Sequence, residues 1–188
     1  NYGYFTQSGL ETDEERRVIQ VLKDIAEFIV MSDGRKVSAS QLLEHFMFSR
    51  DMQFTQVKRL SGGERRRLHL LTVLIKNPNF LILDEPTNDL DLLTLTKLEE
   101  FLLQYKGCLI LVSHDRFFMD KLTEHLFVFK GNGVVEDHYC SYSDYRLQQI
   151  EKEKEFKKIQ HLEKENSKIK SQKKKLSFNE KYEYDNLE

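Results

Sequence analysis

The chain has 188 residues, 39% hydrophobic and 32% charged, with a formal net charge of −2. That suffices for one domain with a core plus an appendage. No apolar run approaches membrane-spanning length, no signal peptide is visible, and Cys108 and Cys140 lie far apart with no CxxC, so neither a spanning helix nor a cysteine metal site is expected and the cytoplasm is the default.

Charge is unevenly spread. Residues 1–150 sum to −4, residues 151–175 to +5 and residues 176–188 to −3. Any basic surface is therefore local to the tail. The first residue is Asn1, inside what reads as a strand, and the last residues fall inside what reads as a helix. The chain is read as part of a longer protein.

Tyr2-Gly3-Tyr4-Phe5-Thr6-Gln7 is a short aromatic run suited to a strand, turned by Ser8-Gly9. Gln7 sits at its end, where a side-chain amide can reach a metal or water; alone, it is an ordinary polar strand end. Asp13 to Val30 reads as helical, with Val18, Leu22, Ile25 and Ile29 stacked, until Ser32-Asp33-Gly34 breaks the pattern. Ser38 and Gln41 form a capping box for a helix carrying Leu42, Leu43 and Phe46. Residues 11–58 are thus expected to be a helical insertion between two strands.

Leu60-Ser61-Gly62-Gly63-Glu64 is unusual. Ser61 and Glu64 make a capping box, and the helix that follows shows Leu68, Leu71 and Ile75 on one face before Asn77-Pro78 stops it. A cap accounts for Ser61 and Glu64. It does not account for two glycines in the first turn, each of which lowers helix propensity by roughly 1 kcal/mol. Glycines there bare the backbone N–H groups at the positive end of the helix dipole, where phosphate is the usual guest. Arg65-Arg66-Arg67 either add positive potential or form a solvated face.

Phe80-Leu81-Ile82-Leu83 runs straight into Asp84-Glu85-Pro86-Thr87-Asn88-Asp89-Leu90-Asp91. The apolar run reads as a strand buried on both faces of a parallel sheet, and ligands of such sheets sit at the strands' carboxyl ends. Two carboxylates there call for a cation, a water network or a substrate; Mg²⁺ shared with nucleotide phosphates fits, since it takes one or two carboxylates plus phosphate oxygens and water. Leu95, Leu98, Leu102 and Tyr105 mark an amphipathic helix ending near Gly107. Cys108 to Val112 is a second buried strand that ends in Ser113-His114-Asp115. A right-handed parallel crossover then places His114 on the same sheet edge as Glu85.

A short helix over 116–123 follows, then two strands, His125–Phe129 and Val134–Asp137, around Lys130-Gly131-Asn132-Gly133, a hairpin signal. Ser143 starts a helix that runs into the tail. In residues 151–175, dense in Lys and Glu, Leu162, Ile169 and Leu176 fall seven apart. A coiled coil and a solvated helix with pairs such as Glu153–Lys157 both fit. Lys173-Lys174-Lys175 is a modest basic patch, and Ser177 with Glu180 is one more capping box.

Taken together, Gln7, Leu60–Glu64, Phe80–Asp91 and Ser113–Asp115 resemble, in order, the Q-loop, signature motif, Walker B with D-loop, and H-loop of an ABC-type ATPase domain. The resemblance covers residues 1–150. LSGGE, DEPTNDLD and SHDRFFMD look like the ABC-F family, whose members carry two such domains in one chain, and the stretch Lys173–Phe178 is similar to the start of the C-terminal coiled-coil domain of its Uup-type branch. This implies an α/β fold: a partial nucleotide-binding domain over 1–150, with parallel-sheet core and helical subdomain 11–58, then a charged helical linker and coiled-coil start over 151–188. There is no GxxxxGK[ST] in the sequence; Gly34-Arg35-Lys36 does not fit. In the family that phosphate loop lies upstream of the position of Asn1, as does a first ATPase domain, so the fragment alone is expected to be inactive.

The resemblance also implies roles. ATP and Mg²⁺ are the cofactors. Asp84 holds Mg²⁺ through water, with Gln7 sensing metal or water. Glu85 is the general base, and His114 holds the γ-phosphate and orders Glu85. Ser61, Gly62, Gly63 and Glu64 serve the nucleotide of a second ABC domain, and Asp89 and Asp91 make contacts across the pair. The implied function is ATP binding and hydrolysis driving a conformational switch on ribosomes or structured nucleic acid, with no membrane partner. The alternatives are a non-catalytic ATP-sensing domain, against which the Asp84-Glu85 pair and His114 speak, and a nucleic-acid-binding module, for which the tail lysines speak.

Overall fold

The structure is a computed structural model and describes residues 1–173 except Gln7, Ser32, Asp33 and Asp89; of residues 162–173 it describes the backbone alone. In chain order the elements are β1 (Tyr2–Phe5), α1 (Val18–Lys23), β2 (Phe28–Val30), β3 (Lys36–Ser38), α2 (Ala39–His45), α3 (Arg50–Gln53) and a 3₁₀ turn at Val57–Arg59. Then come α4 (Gly62–Leu74), β4 (Phe80–Asp84), α5 (Leu92–Leu103), β5 (Cys108–Val112), α6 (Arg116–Leu122), β6 (Leu126–Gly131), β7 (Val134–His138) and α7 (Tyr142–Lys173).

Three strands distant in sequence make the central parallel sheet, in the order β1-β4-β5. Tyr4 pairs with Ile82, which pairs with Ile110; Asp84 pairs with Val112. Parallel pairing puts all three carboxyl ends at one edge. The period-2 alternation turns Phe5, Leu81 and Leu83 into a core that also holds Leu68, Leu70 and Leu71 of α4 and Leu98 of α5. Tyr2, Tyr4, Phe80, Ile110 and Val112 point to the other face and are exposed. Here the structure differs from the expectation of strands buried on both faces: among the described residues β4 and β5 are covered on one face only.

A second correction concerns residues 11–58. The expected helix from Asp13 to Val30 is only α1, and Ile29 lies on a strand, not on the helix face. β2 and β3 form an antiparallel hairpin with Ile29 opposite Val37. Phe28-Ile29-Val30 is a β-favouring triplet, and Gly34, at φ 84°, supplies the left-handed conformation that returns the chain. The insertion is therefore mixed, not wholly helical.

The capping boxes stand as read. The Ser38 and Ser61 hydroxyls accept from Gln41 and Glu64 N–H, while both acceptor side chains reach back to the cap N–H groups. α4 ends before Asn77 (φ 44°) and Pro78. β6 and β7 form the expected hairpin, with Gly131, Asn132 and Gly133 all at positive φ.

The chain divides into two units, residues 1–141 and 142–188. Tyr142 begins α7, one residue before the expected start at Ser143. In the second, α7 is one continuous helix of 32 residues. The side chains of the Leu162–Ile169–Leu176 register and the Ser177–Glu180 box lie outside the described residues. Among the described residues no helix is long and apolar enough to cross a membrane.

Gly107, between α5 and β5, tests the packing. A Cβ there would stand 2.3 Å from the Tyr105 hydroxyl and 2.6 Å from the backbone oxygen of Asn79, and that oxygen is already bonded by the Cys108 N–H. Gly107→Ala is expected to destabilise by about 1–3 kcal/mol through overpacking, read as a lower urea midpoint at unchanged slope. An unshifted midpoint would show that the junction yields freely.

Candidate functional site

The β4–β5 pairing runs one step beyond the strands. Glu85 N–H donates to the Val112 oxygen at 2.8 Å, and Glu85 then turns to φ 48°. A non-glycine residue in that region is strained by about 1–3 kcal/mol and persists only where its surroundings hold it there. Pro86 reinforces the turn by disfavouring right-handed helix at Glu85. The effect is to swing the carboxylate inward: Glu85 is 6% exposed, a neighbour of the half-buried Asp84.

One step beyond β5, His114 Nε2 lies 3.3 Å from Glu85 Oε1. The imidazole itself is exposed. Glu85 Oε2 is buried with no hydrogen-bond partner among the described residues, and leaving such an acceptor unmatched costs about 1–3 kcal/mol. A buried carboxylate with one oxygen beside an exposed imidazole and the other unclaimed is suited to receiving a water or hydroxyl proton.

The loops that carry these groups are latched together. Thr87 and Ser113 hydroxyls lie 3.3 Å apart, and Ser113 Oγ accepts from Asp115 N–H. Asp115 in turn caps α6, accepting from Phe118 N–H at 3.1 Å. Thr87 was not singled out in the sequence, although its place three positions past Asp84 made it a loop neighbour of Ser113.

Gly62 and Gly63 open α4 at the surface, not in the core. A Cβ at Gly62 would meet nothing within 4 Å, so nothing among the described residues demands glycine there. A cavity of about 490 Å³ adjoins the tip, lined by Gly9, Thr12, Glu14, Gly62, Gly63 and Arg65 among others. Glu64 is spent on the cap, its Oε2 accepting from the N–H and hydroxyl of Ser61, both at 2.8 Å.

Asp91 caps α5: Oδ1 accepts from Thr94 N–H at 2.9 Å, and Oδ2 from the Thr94 hydroxyl and Arg67, both at 2.8 Å. The arginine triplet is not a solvated face. Arg66 is buried and donates to the Thr6 carbonyl at 2.6 Å, and Arg67 is nearly so. Gln7 and Asp89 lie outside the described residues. No three His, Cys, Asp or Glu side chains among the described residues converge on a metal. Mg²⁺ bound chiefly by phosphates and water needs fewer, and Asp84, half-buried at the carboxyl end of β4 and next to Glu85 in sequence, fits that requirement.

Residues 2–88 match the family described as ABC transporter. The uncharacterized ABC transporter ATP-binding protein YfmR of Bacillus subtilis is 45% identical over 99% of this chain and 30% of its own length. ATP-binding protein Uup of Haemophilus influenzae is 38% identical over 98% of this chain and 30% of its length. The energy-dependent translational throttle protein EttA of Escherichia coli is 44% identical over 54% of this chain and 19% of its length. A solved ATP-binding subunit of an ABC transporter superposes with TM-score 0.59 at 20% identity, covering 78% of this chain and 61% of that one. The fold is that of an ABC-type ATP-binding domain. The chain spans less than a third of the length of the YfmR, Uup and EttA proteins it matches.

The Asp91 carboxyl is held below the usual carboxylate range, chiefly by the Thr94 N–H; burial opposes this as the next-largest effect, and the Thr94 hydroxyl and Arg67 add smaller lowering effects. A depressed folded-state value means stability that is present above about pH 4 and lost as pH falls through the depressed value. Asp91→Ala is therefore expected to cost about 0.5–2 kcal/mol at neutral pH, with the urea midpoints of variant and parent converging in acid. A gap that stays constant down to pH 2 would detach the loss from the carboxylate.

Proposed function

We propose that this chain belongs to an ABC-F ATPase of the Uup-type branch and that its sheet edge is one ATP-hydrolysing site of a nucleotide-driven switch. What carries the reading is the strained, buried Glu85 with His114 at 3.3 Å on one oxygen and, among the described residues, no partner on the other. A purely structural carboxylate gains nothing from either feature, whereas a general base needs both a free acceptor and a group that orients it.

The division of labour follows from position. Glu85 would take the proton of the attacking water, and His114 would hold Glu85 in place and face the γ-phosphate. Asp84 would hold Mg²⁺ through water, and Gln7 would sense metal or water. Bound Mg²⁺ supplies neutralisation of the charge that develops on the phosphates. Ser61, Gly62 and Gly63 would offer the N-terminal end of α4, with its helix dipole, to the triphosphate held by a second ABC domain, with Asp89 contributing across the pair. ATP then closes the pair and hydrolysis reopens it, by differential binding to the two states.

The ribosome, or structured RNA or DNA, is the proposed object of the switch. The support is the similarity to a translational throttle protein and the net +5 of residues 151–175. Phosphate contacts made by those lysines would weaken steeply with salt.

Two outcomes are expected. In the natural full-length protein, Glu85→Gln keeps Mg-ATP binding and closure but lowers turnover at this site at least about 100-fold; unchanged hydrolysis, measured with this as the only intact site, would remove Glu85 from its role. Residues 1–188 alone, having no GxxxxGK[ST], are expected to bind Mg-ATP no tighter than on the order of 1 mM by calorimetry. Micromolar, Mg-dependent binding would overturn that.

A further inference from the structure

Arg65, Arg66 and Arg67 are consecutive, so their side chains leave α4 roughly 100° apart and reach three different surroundings. Arg65 pairs with the exposed Glu14 at 2.8 Å, a contact of little worth in water. Arg66 lies over the Phe5 ring at 4.4 Å and donates to the Thr6 carbonyl, just past the end of β1. Arg67 is the most engaged. Its guanidinium lies 5.5 Å from the Phe48 ring, donates to the Phe46 carbonyl at 3.2 Å and to Asp91 Oδ2 at 2.8 Å.

Both acceptors of Arg67 are helix ends of the matching sign. α2 closes with Met47 at φ 68° and Phe48 N–H donating back to the Leu43 oxygen. That leaves the Phe46 carbonyl facing outward at a negative helix end. Asp91 is the anionic cap of α5. One planar fork thus spans the end of α2, the start of α5 and the glycine-bearing first turns of α4. A lysine, with a single point of charge, does not reproduce two bonds in a fixed fork.

We propose that Arg67 is a positioning residue for the ATPase reaction: it fastens the tip of α4 that carries Gly62 and Gly63 to the cap of α5, so that the tip moves with the loop between Asp84 and Asp91. Arg66 makes the corresponding tie to the end of β1. The tie couples the group offered to a neighbouring nucleotide with the loop that leaves this chain's own carboxylates. The proposal rests on the hydrolysis reading above only for its kinetic consequence.

The test uses the natural full-length protein with Arg67→Lys, Asp91→Ser and the two combined. Serine keeps a good helix cap but is too short to reach Arg67. Amide exchange followed by mass spectrometry is expected to speed up at least about threefold in residues 65–68 of the Asp91→Ser protein, 24 residues away in sequence, with Leu95–Leu98 of the capped helix unchanged. Where circular dichroism shows every variant folded, kcat for Mg-ATP should fall about tenfold in each single variant, with KM within about twofold. The double variant should be no worse than either single one, since both remove one bridge.

Unmoved exchange at residues 65–68 overturns the proposal. So does an unchanged kcat in folded variants, or additive losses in the double variant. If the unsubstituted protein turns over no ATP, the hydrolysis reading fails, and exchange alone decides whether Arg67 holds the tip.

Discussion

The parallel pairing of β4 with β5 is the constraint on which the site depends. It aligns Asp84 with Val112 and continues through the Glu85 N–H to the Val112 oxygen, so the residues one and two steps past the strands must meet. Glu85 and His114, 29 positions apart in sequence, are brought to 3.3 Å without any contact of their own doing the work. A one-residue slip of register would send every side chain of β5 to the opposite face, expelling Leu109 and Leu111 from the core and carrying His114 away from the carboxylate. Core packing and site geometry are thus enforced by the same ladder.

The sequence disclosed the parts that local chemistry decides. Capping boxes at Ser38 and Ser61, the Asn77-Pro78 stop and the glycine turn after β6 are each set by a few adjacent residues, and the structure contains all of them. The sheet edge was legible too, since polar residues at the ends of two apolar runs have few other places to go. What failed was the extent of α1. Val18, Leu22, Ile25 and Ile29 have helical spacing, but so short a helix gains little, and tertiary pairing of Ile29 with Val37 outweighs the periodicity.

Of the two readings of the arginine triplet, the solvated face fails for a different reason. Three like charges in a row invite the reading of a wet surface, yet consecutive helix positions cannot share a face. On a helix whose Leu68, Leu70 and Leu71 are all fully buried, at least one of the three had to turn inward. The burial of Arg66 and Arg67 is tolerable because backbone carbonyls and one carboxylate receive their N–H groups. It is incomplete, since the Nε of each is buried without a partner among the described residues. The left-handed turn at Glu85 had no counterpart in composition or periodicity and emerges only from the backbone.

Two features of the chain make sense only together. At the sheet edge an acidic oxygen is sequestered from water with no donor among the described residues to match it. At the tip of α4 a glycine leads a helix where a Cβ would meet nothing within 4 Å, at a propensity cost of roughly 1 kcal/mol. Packing explains neither, because packing would fill the first and substitute the second. Under the proposed reading each is half of a composite site: the carboxylate awaits a water ordered by a nucleotide held close by, and the bare helix tip awaits a phosphate held by another domain. Arg67 then has a physical purpose that stability alone does not require. Asp91 is half-exposed, which limits what its pair with the nearly buried Arg67 adds to folding, but a tie between the two half-sites lets the state of one be felt at the other, as alternating closure and release of nucleotide demands.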